Sequence, residues 1–336
     1  MSAPTDRKFS HTTAARARVP LLVGLTAPSS GGKTKSALRL ADGMRSVDGG
    51  RVFLVDTEAN RSLHYADEHT FEHVPFSAPF GPRDYVAAID YCVAAGATVV
   101  IVDSVSHEWE GAGGVLDIHD RELDRIAGPD ERARLKNTMR AWGPAKRDHG
   151  LFVRTLLQTP CHFILCFRAK SKLKIRPGKP PEERGFMAIG GEDLTFEMTI
   201  NALLLPGAKG CPTWRSDEEG ERLTIKRPGW AESMLVDGET LDEKTGAALA
   251  TWAAGTKKRS ILEILEELER CNDPATLGAL KTETRIAWKS ANPDQRRLLR
   301  ESAEAAAERI AAAAEPPPEA SPMGRAPGEE GDRDHA

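Results

Sequence analysis

The sequence predicts an α/β fold, a mostly parallel central sheet covered by helices on both faces, with a small helical domain at the C-terminal end. Continuous apolar runs recur along the first two thirds of the chain: "VPLLVGLTA", "RVFLVDTE", "ATVVIVDS" and "CHFILCFRA". Such runs suit strands buried on both faces, as in a parallel sheet. Between them lie stretches with helical periodicity, which gives the alternating rhythm of a doubly wound core. Residues 256–314 carry helical periodicity alone.

Residues 1–17 hold Arg7, Lys8 and Arg16 and no apolar core segment, so they predict a disordered start and no secretory signal. An α/β core is expected over 18–255. "VPLLVGLTA" reads as a strand, and "KSALRLADGM" as a helix with Ala37, Leu38, Leu40 and Ala41 on one face. "RVFLVDTE" follows a "DGG" turn as the second strand. "PRDYVAAIDYCVAAG" is a helix with Pro82 near its start and Gly96 past its end. "ATVVIVDS" is a strand, "GLFVRTLLQTP" a helix, and "CHFILCFRA" and "EMTINALLLPG" are further strands. Over 211–237 the runs "CPTWRS", "ERLTIK" and "SMLVD" predict short strands, the first two joined by "DEEG" as a turn. The helix "EKTGAALATWAA" ends at Gly255. Within 256–314, Asp273-Pro274 and Asn292-Pro293 each place a capping side chain before a proline at the first helical position, so three helices are expected. Residues 315–336, rich in proline and acid, predict a disordered tail.

Hydrophobic residues make up 40% of the 336 and charged residues 29%, with a net charge of −4. Any contact with nucleic acid therefore needs a local basic patch. The apolar runs are too short to span a bilayer, so no membrane association and a cytoplasmic location are expected. The five cysteines, at 92, 161, 166, 211 and 271, form no CxxC pair, so they read as buried thiols with no structural zinc. By strand parity Cys161 and Cys166 fall on opposite faces.

The strand "VPLLVGLTA" runs directly into Ala27, Pro28, Ser29, Ser30, Gly31, Gly32, Lys33 and Thr34, a Walker A pattern with alanine in place of the first glycine. Gly31 and Gly32 let the backbone curl so that N–H groups converge on phosphate oxygens, and the helix that follows, through Lys35, adds the positive end of its dipole. Lys33 would reach the β- and γ-phosphates of ATP, and the Thr34 hydroxyl would ligate Mg²⁺. "TVVIVD" ends in Asp103, a Walker B pattern whose carboxylate would hold the same Mg²⁺ through water. Hydrolysis also requires a group that orients water, and Glu58 at the end of "VFLVDTE" is the first candidate, with Glu108 and Glu110 of "SHEWEG" as alternatives.

Glu58 at the tip of the strand after the P-loop helix, Tyr65 seven positions on, and "VVIVDSV" resemble the RecA-like recombinase family. The runs "DTE…RS…YA" and "DSVSHEWEG" are similar in particular to RecA-like or AAA-type ATPases encoded by bacteriophages. The resemblance covers about residues 18–230 and leaves out the helical end. It implies a RecA-like P-loop NTPase core in which Glu58 acts on water, Tyr65 stacks on adenine, and Arg168 stands at a γ-phosphate sensor position where the family usually has glutamine or asparagine. It implies a mobile DNA-binding loop at "RAKSKLKIRPGK", where Lys170, Lys172, Lys174, Arg176 and Lys179 occur without an acid. Phe186 and Met187 farther along would wedge between bases or anchor the loop. It implies a filament or ring of identical subunits, completed by a cation from the neighbour, Lys226 or Arg227, at the end of the hairpin "ERLTIKRPGW". His107 reads either as a γ-phosphate contact or as a polar loop residue. The function expected is an Mg²⁺- and ATP-dependent ATPase acting on single-stranded DNA in recombination or replication, in a bacterial or phage-infected cytoplasm. The alternative is a nucleotide-switched loader or assembly protein that grips a protein partner.

Overall fold

A computed structural model describes residue 11 and residues 18–174, 182–255, 261–288 and 291–314. The chain divides into two compact units, Met1–Thr256 and Lys257–Ala336. The fold class is the expected one.

In the first unit, β1 (Leu22–Ala27) leads into α1 (Lys33–Asp48), then β2 (Arg51–Asp56), β3 (Glu72–Pro75), α2 (Pro82–Ala94) and β4 (Ala97–Asp103). After β4 come α3 (Ser106–Glu110), α4 (Val115–Ala127), α5 (Glu131–Gln158), β5 (His162–Lys174), β6 (Glu182–Ala188), α6 (Glu192–Glu197), β7 (Ile200–Leu203), α7 (Glu219–Thr224) and α8 (Glu243–Ala253). The sheet order is β3-β2-β4-β5-β1-β7, and these six strands are parallel. β6 pairs antiparallel with the far end of β5.

Strand periodicity sorts the core into two layers. Val23 and Leu25 of β1, Val99 and Ile101 of β4, and Ile164 and Cys166 of β5 pack with Leu38, Leu40 and Met44 of α1 and Leu249 of α8. Val100 and Val102 of β4 and Phe163, Leu165 and Phe167 of β5 face the other way, onto Tyr85 and Ile89 of α2 and Phe152 and Leu156 of α5. Cys161 lies in this second layer, so the two cysteines occupy opposite faces as parity predicts.

Three sequence expectations are corrected. The strands and hairpin expected over 211–237 do not form, and Glu219–Thr224 is a helix instead. Only single bridges remain there, Leu203 to Thr213 and Asn201 to Lys226. The cause is Glu221, which turns inward to accept hydrogen bonds from the Phe186 backbone N–H at 3.0 Å and the Ser216 hydroxyl at 2.8 Å. Next, the basic segment after "FILCF" is strand as far as Lys174, because Lys170, Lys172 and Lys174 alternate with Ser171 and Leu173 at the strand period. Likewise Glu182–Ala188 is its antiparallel partner and not loop, with Lys170 opposite Met187 and Ser171 opposite Phe186. Arg176 and Lys179 lie outside the described residues, as do most of 1–17 and all of 315–336.

In the second unit α9 (Ile261–Arg270), α10 (Pro274–Ala287) and α11 (Pro293–Ala314) enclose Leu268, Leu280 and Leu299. The two capping devices form as expected. Asp273 Oδ1 accepts from the Thr276 N–H at 2.9 Å, and Asn292 Oδ1 from the Gln295 N–H at 2.9 Å.

α1 and α8 cross at a pair of glycines. A Cβ on Gly246 would lie 2.1 Å from the Leu40 carbonyl oxygen, and one on Gly43 2.0 Å from that of Glu243. Neither partner atom is a movable side chain, so Gly246→Ala must push the helices apart. We expect it to lower stability by about 1–3 kcal/mol, the usual cost of overpacking. A denaturant midpoint equal to that of the wild type would refute the close crossing.

Candidate functional site at the C-terminal edge of the sheet

Three strands end at one place and a fourth passes through it. β1 delivers the loop Pro28–Gly32, β2 delivers Glu58, β4 delivers Asp103, and β5 delivers Arg168. The loop turns through left-handed backbone at Ser30 (φ 61°) and Gly32 (φ 89°). A Cβ on Gly31 would stand 2.6 Å from that of Ala27, so the tight return requires glycine. No side chain caps the N-terminus of α1, and its first turn carries no acid. Its leading N–H groups are therefore left for an external anion.

Lys33 folds back along the loop, its Nζ donating to the Ala27 and Pro28 carbonyls at 3.0 and 3.1 Å. The Thr34 hydroxyl donates to Asp103 Oδ2 at 2.5 Å. Burial pushes the Asp103 carboxyl up to about 6, against the pull of the Thr34 hydrogen bond and the Lys33 charge. A hydroxyl and a buried carboxylate side by side suit a hard divalent cation, which would favour the ionised carboxylate. Among the described residues no cluster of three His, Cys, Asp or Glu could hold a metal by itself.

The turn after β2 is organised by Asp56, whose side chain is buried. Its Oδ1 accepts from the Glu58 N–H at 2.8 Å, and its Oδ2 from the Ser62 N–H at 3.0 Å and the Ser62 hydroxyl at 2.5 Å. Glu58 faces a cavity of about 420 Å³ whose walls include Ser29, Lys33, Thr34, Asp103 and Arg168. Arg168 grips both Glu58 oxygens, at 2.8 and 2.7 Å. Burial raises the Glu58 carboxyl, but the hydrogen bonds and charge of Arg168, with His107 and Lys33, outweigh it and hold the group below the ordinary value.

The remaining candidates separate by position. Glu110 lines the same cavity and pairs with Lys170 at 3.0 Å. Glu108 points away from it, buried against His149 at 2.8 Å. His107 bonds the Thr57 hydroxyl at 2.8 Å and stacks on Phe80, and burial lowers its pKa. Tyr65 is half-buried against the first core layer and does not line this cavity. Lys35 pairs with Glu68 at 2.6 Å on the surface. Lys226 donates to the Phe196 carbonyl at 2.9 Å. Arg227 is held by Asp237 and the Leu235 carbonyl, each at 3.0 Å, over the ring of Trp214. Neither stands on a hairpin, and both charges are engaged within their own subunit.

Sequence reading missed the clamp that steadies α3, because its three members are far apart in the chain. His149 of α5 bonds Glu108 of α3 through Nδ1 at 2.8 Å and Asp193 of α6 through Nε2 at 2.9 Å. Burial works against its charge, but the two flanking carboxylates prevail and raise its pKa to about 9.

A family model described as "AAA domain" matches residues 20–197, which span the P-loop, both acidic strand ends and the clamp. A search of curated proteins found no match.

The clamp makes stability depend on pH. His149 has a folded pKa above its unfolded value near 6.5. Its contribution is therefore complete below about pH 6.5 and is lost as pH rises through about 9. We expect the denaturant midpoint of the wild type to fall across that window, and His149→Gln to remove this dependence while destabilising the protein at pH 7 by about 3 kcal/mol, because Glu108 is left buried and unpaired. Parallel pH profiles for the two proteins would rule the clamp out.

Proposed function

The chain belongs to the AAA-domain family of P-loop nucleotide-binding proteins, and from that premise we propose that it is an Mg²⁺-dependent, RecA-like ATPase acting on single-stranded DNA. The observation that carries the ATPase reading is the meeting of Thr34 and Asp103 at 2.5 Å beside the P-loop, with Glu58 on the wall of the same cavity. Bound Mg·ATP would supply the electrophilic γ-phosphorus and the cation that balances its charge. The leading N–H groups of α1 and the loop would bind the phosphates, and Lys33 would leave its two carbonyls for the β- and γ-oxygens. Thr34 and Asp103 would hold the cation, Asp103 through water.

Glu58 is the residue for the attacking water. Its lowered pKa makes it a weak base, so its part is mainly to accept a hydrogen bond and aim the water along the line of attack. Arg168, midway along β5, keeps that carboxylate charged and oriented.

The DNA reading is supported by continuity. β5 carries Arg168 at the cavity and runs on through Lys170, Lys172 and Lys174 with no break in the strand. A strand held on those lysines would be joined to the nucleotide site by one rigid element. Recombination or replication is the setting such coupling suits, in a filament or ring of like subunits. No helix among the described residues is long and apolar enough to cross a membrane.

Lys33→Ala should abolish hydrolysis and weaken ATP binding. Near-normal turnover in that variant would sink the P-loop reading. Glu58→Gln should bind ATP normally and turn it over at least about a hundredfold more slowly. If Glu110→Gln shows that pattern and Glu58→Gln does not, the water-positioning group is Glu110. Wild-type turnover should rise on adding single-stranded DNA, and the rise should shrink with salt as phosphate contacts are screened. Turnover indifferent to DNA would favour the nucleotide-switched assembly protein instead.

A further inference from the structure

Four cations line the cavity: Lys33, Arg61, Arg168 and Lys170. Three already have acceptors. Lys33 donates to two loop carbonyls, Arg168 to Glu58 and Lys170 to Glu110. The guanidinium of Arg61 has no hydrogen bond or ion pair among the described residues, although it faces the same space as Glu58 and Glu110. An arginine on an open surface is usually left so because water satisfies it. Arg61 is itself exposed, but it stands on a built support.

Residues 58 and 62 on either side of it are both tied to the buried Asp56 carboxylate, through the Glu58 N–H and through the N–H and hydroxyl of Ser62. Between them Ala59 (φ 56°) and Asn60 (φ 61°) are successive non-glycine residues in the left-handed region. Such backbone is costly and persists only where its surroundings enforce it. The strained turn brings Arg61 to the mouth of the cavity on the same short segment that carries Glu58. Even with its Mg²⁺, a triphosphate entering there brings more negative charge than Lys33 alone can balance, while Arg168 and Lys170 are occupied by carboxylates.

We propose that Arg61 is a catalytic residue that binds the terminal phosphate of the nucleotide and stabilises the charge spread over its oxygens in the transition state. The inference rests on the ATPase reading above and adds a cation supplied by the same subunit. Water attacks the γ-phosphorus, the bond to the β–γ bridging oxygen breaks, and ADP, inorganic phosphate and one proton result. Arg61 takes part through charge and hydrogen bonds and exchanges no proton. Because its partner is the terminal phosphate, it distinguishes triphosphate from diphosphate.

The test uses the full chain with Arg61→Gln and Arg61→Lys, each compared with the wild type for thermal midpoint, affinity for ADP, affinity for a non-hydrolysable ATP analogue, and kcat. We expect Arg61→Gln to keep its thermal midpoint and to bind ADP within about twofold of the wild type. It should lose about tenfold or more in affinity for the analogue and about a hundredfold in kcat, the scale on which a single preorganised donor to a developing charge acts. Arg61→Lys should recover part of both losses. An Arg61→Gln protein with the same preference for analogue over ADP and the same kcat as wild type overturns the inference and leaves the ATPase reading standing. Equal losses of ADP and analogue affinity also overturn it, since they place Arg61 away from the terminal phosphate. A wild-type protein that binds neither nucleotide sinks the ATPase reading and this inference together.

Discussion

The site depends on one constraint, the parallel register of four strands. Asp56 of β2 lies opposite Asp103 of β4, Asp103 opposite Cys166 of β5, and Ala27 of β1 opposite Arg168 of β5. Because the strands run the same way, the ends of β1, β2 and β4 and the last β5 residue paired with β1 lie at the same level and converge on one edge. This is where ligands bind in open α/β sheets. The buried layers on both faces hold that register, since a slip of one residue would send Val100, Phe163 and their neighbours to the wrong layer. Apolar packing thus brings Thr34 to an aspartate 69 positions away, which no local rule does.

That edge concentrates charge, and its groups restrain one another. Asp103 is buried enough to be driven up to about 6, while Glu58 is drawn down by Arg168. The two carboxylates therefore differ in readiness to take a proton. Hydrogen bonds across the strand ends keep them apart. The Ser104 N–H donates to Thr57 Oγ1 at 2.7 Å, and the Thr57 N–H to the Asp103 carbonyl at 2.8 Å.

β5 is the element that leaves the edge. Its first half is buried between β1 and β4, and its second half pairs only with β6. The Ser106 hydroxyl accepts from the Arg168 N–H at 2.8 Å and donates to the Ile189 carbonyl at 2.7 Å. The start of α3, the end of the buried half of β5 and the exit of β6 thus meet at one hydroxyl. A displacement of the β5–β6 pair would be felt at Arg168 and, through it, at Glu58.

By itself the sequence determined the local events. The continuous apolar runs specified strands buried on both faces. The small-residue turn "SSGG" before a helix specified an anion-binding loop, and Asp-Pro and Asn-Pro specified helix starts. Each is written within a few residues, where chain sterics and capping act. The alternating lysines after "FILCF" also carried a strand signal, though the resemblance to RecA-like proteins made the segment read as loop. The helix Glu219–Thr224 was not legible, because Glu221 is helical on account of partners at Ser216 and Phe186. Nor was the full length of α5, a 28-residue helix of which only the stretch from Gly150, "GLFVRTLLQTP", was read as helical. Only the tertiary structure decided which acid faces the cavity, since Glu108 and Glu110 are two residues apart on one short helix and point to opposite surroundings. It alone paired Glu58 with Arg168 across 110 positions and left the Arg61 guanidinium without a partner among the described residues. Those outcomes come from burial and charge summed over strands distant in sequence, which no local pattern encodes.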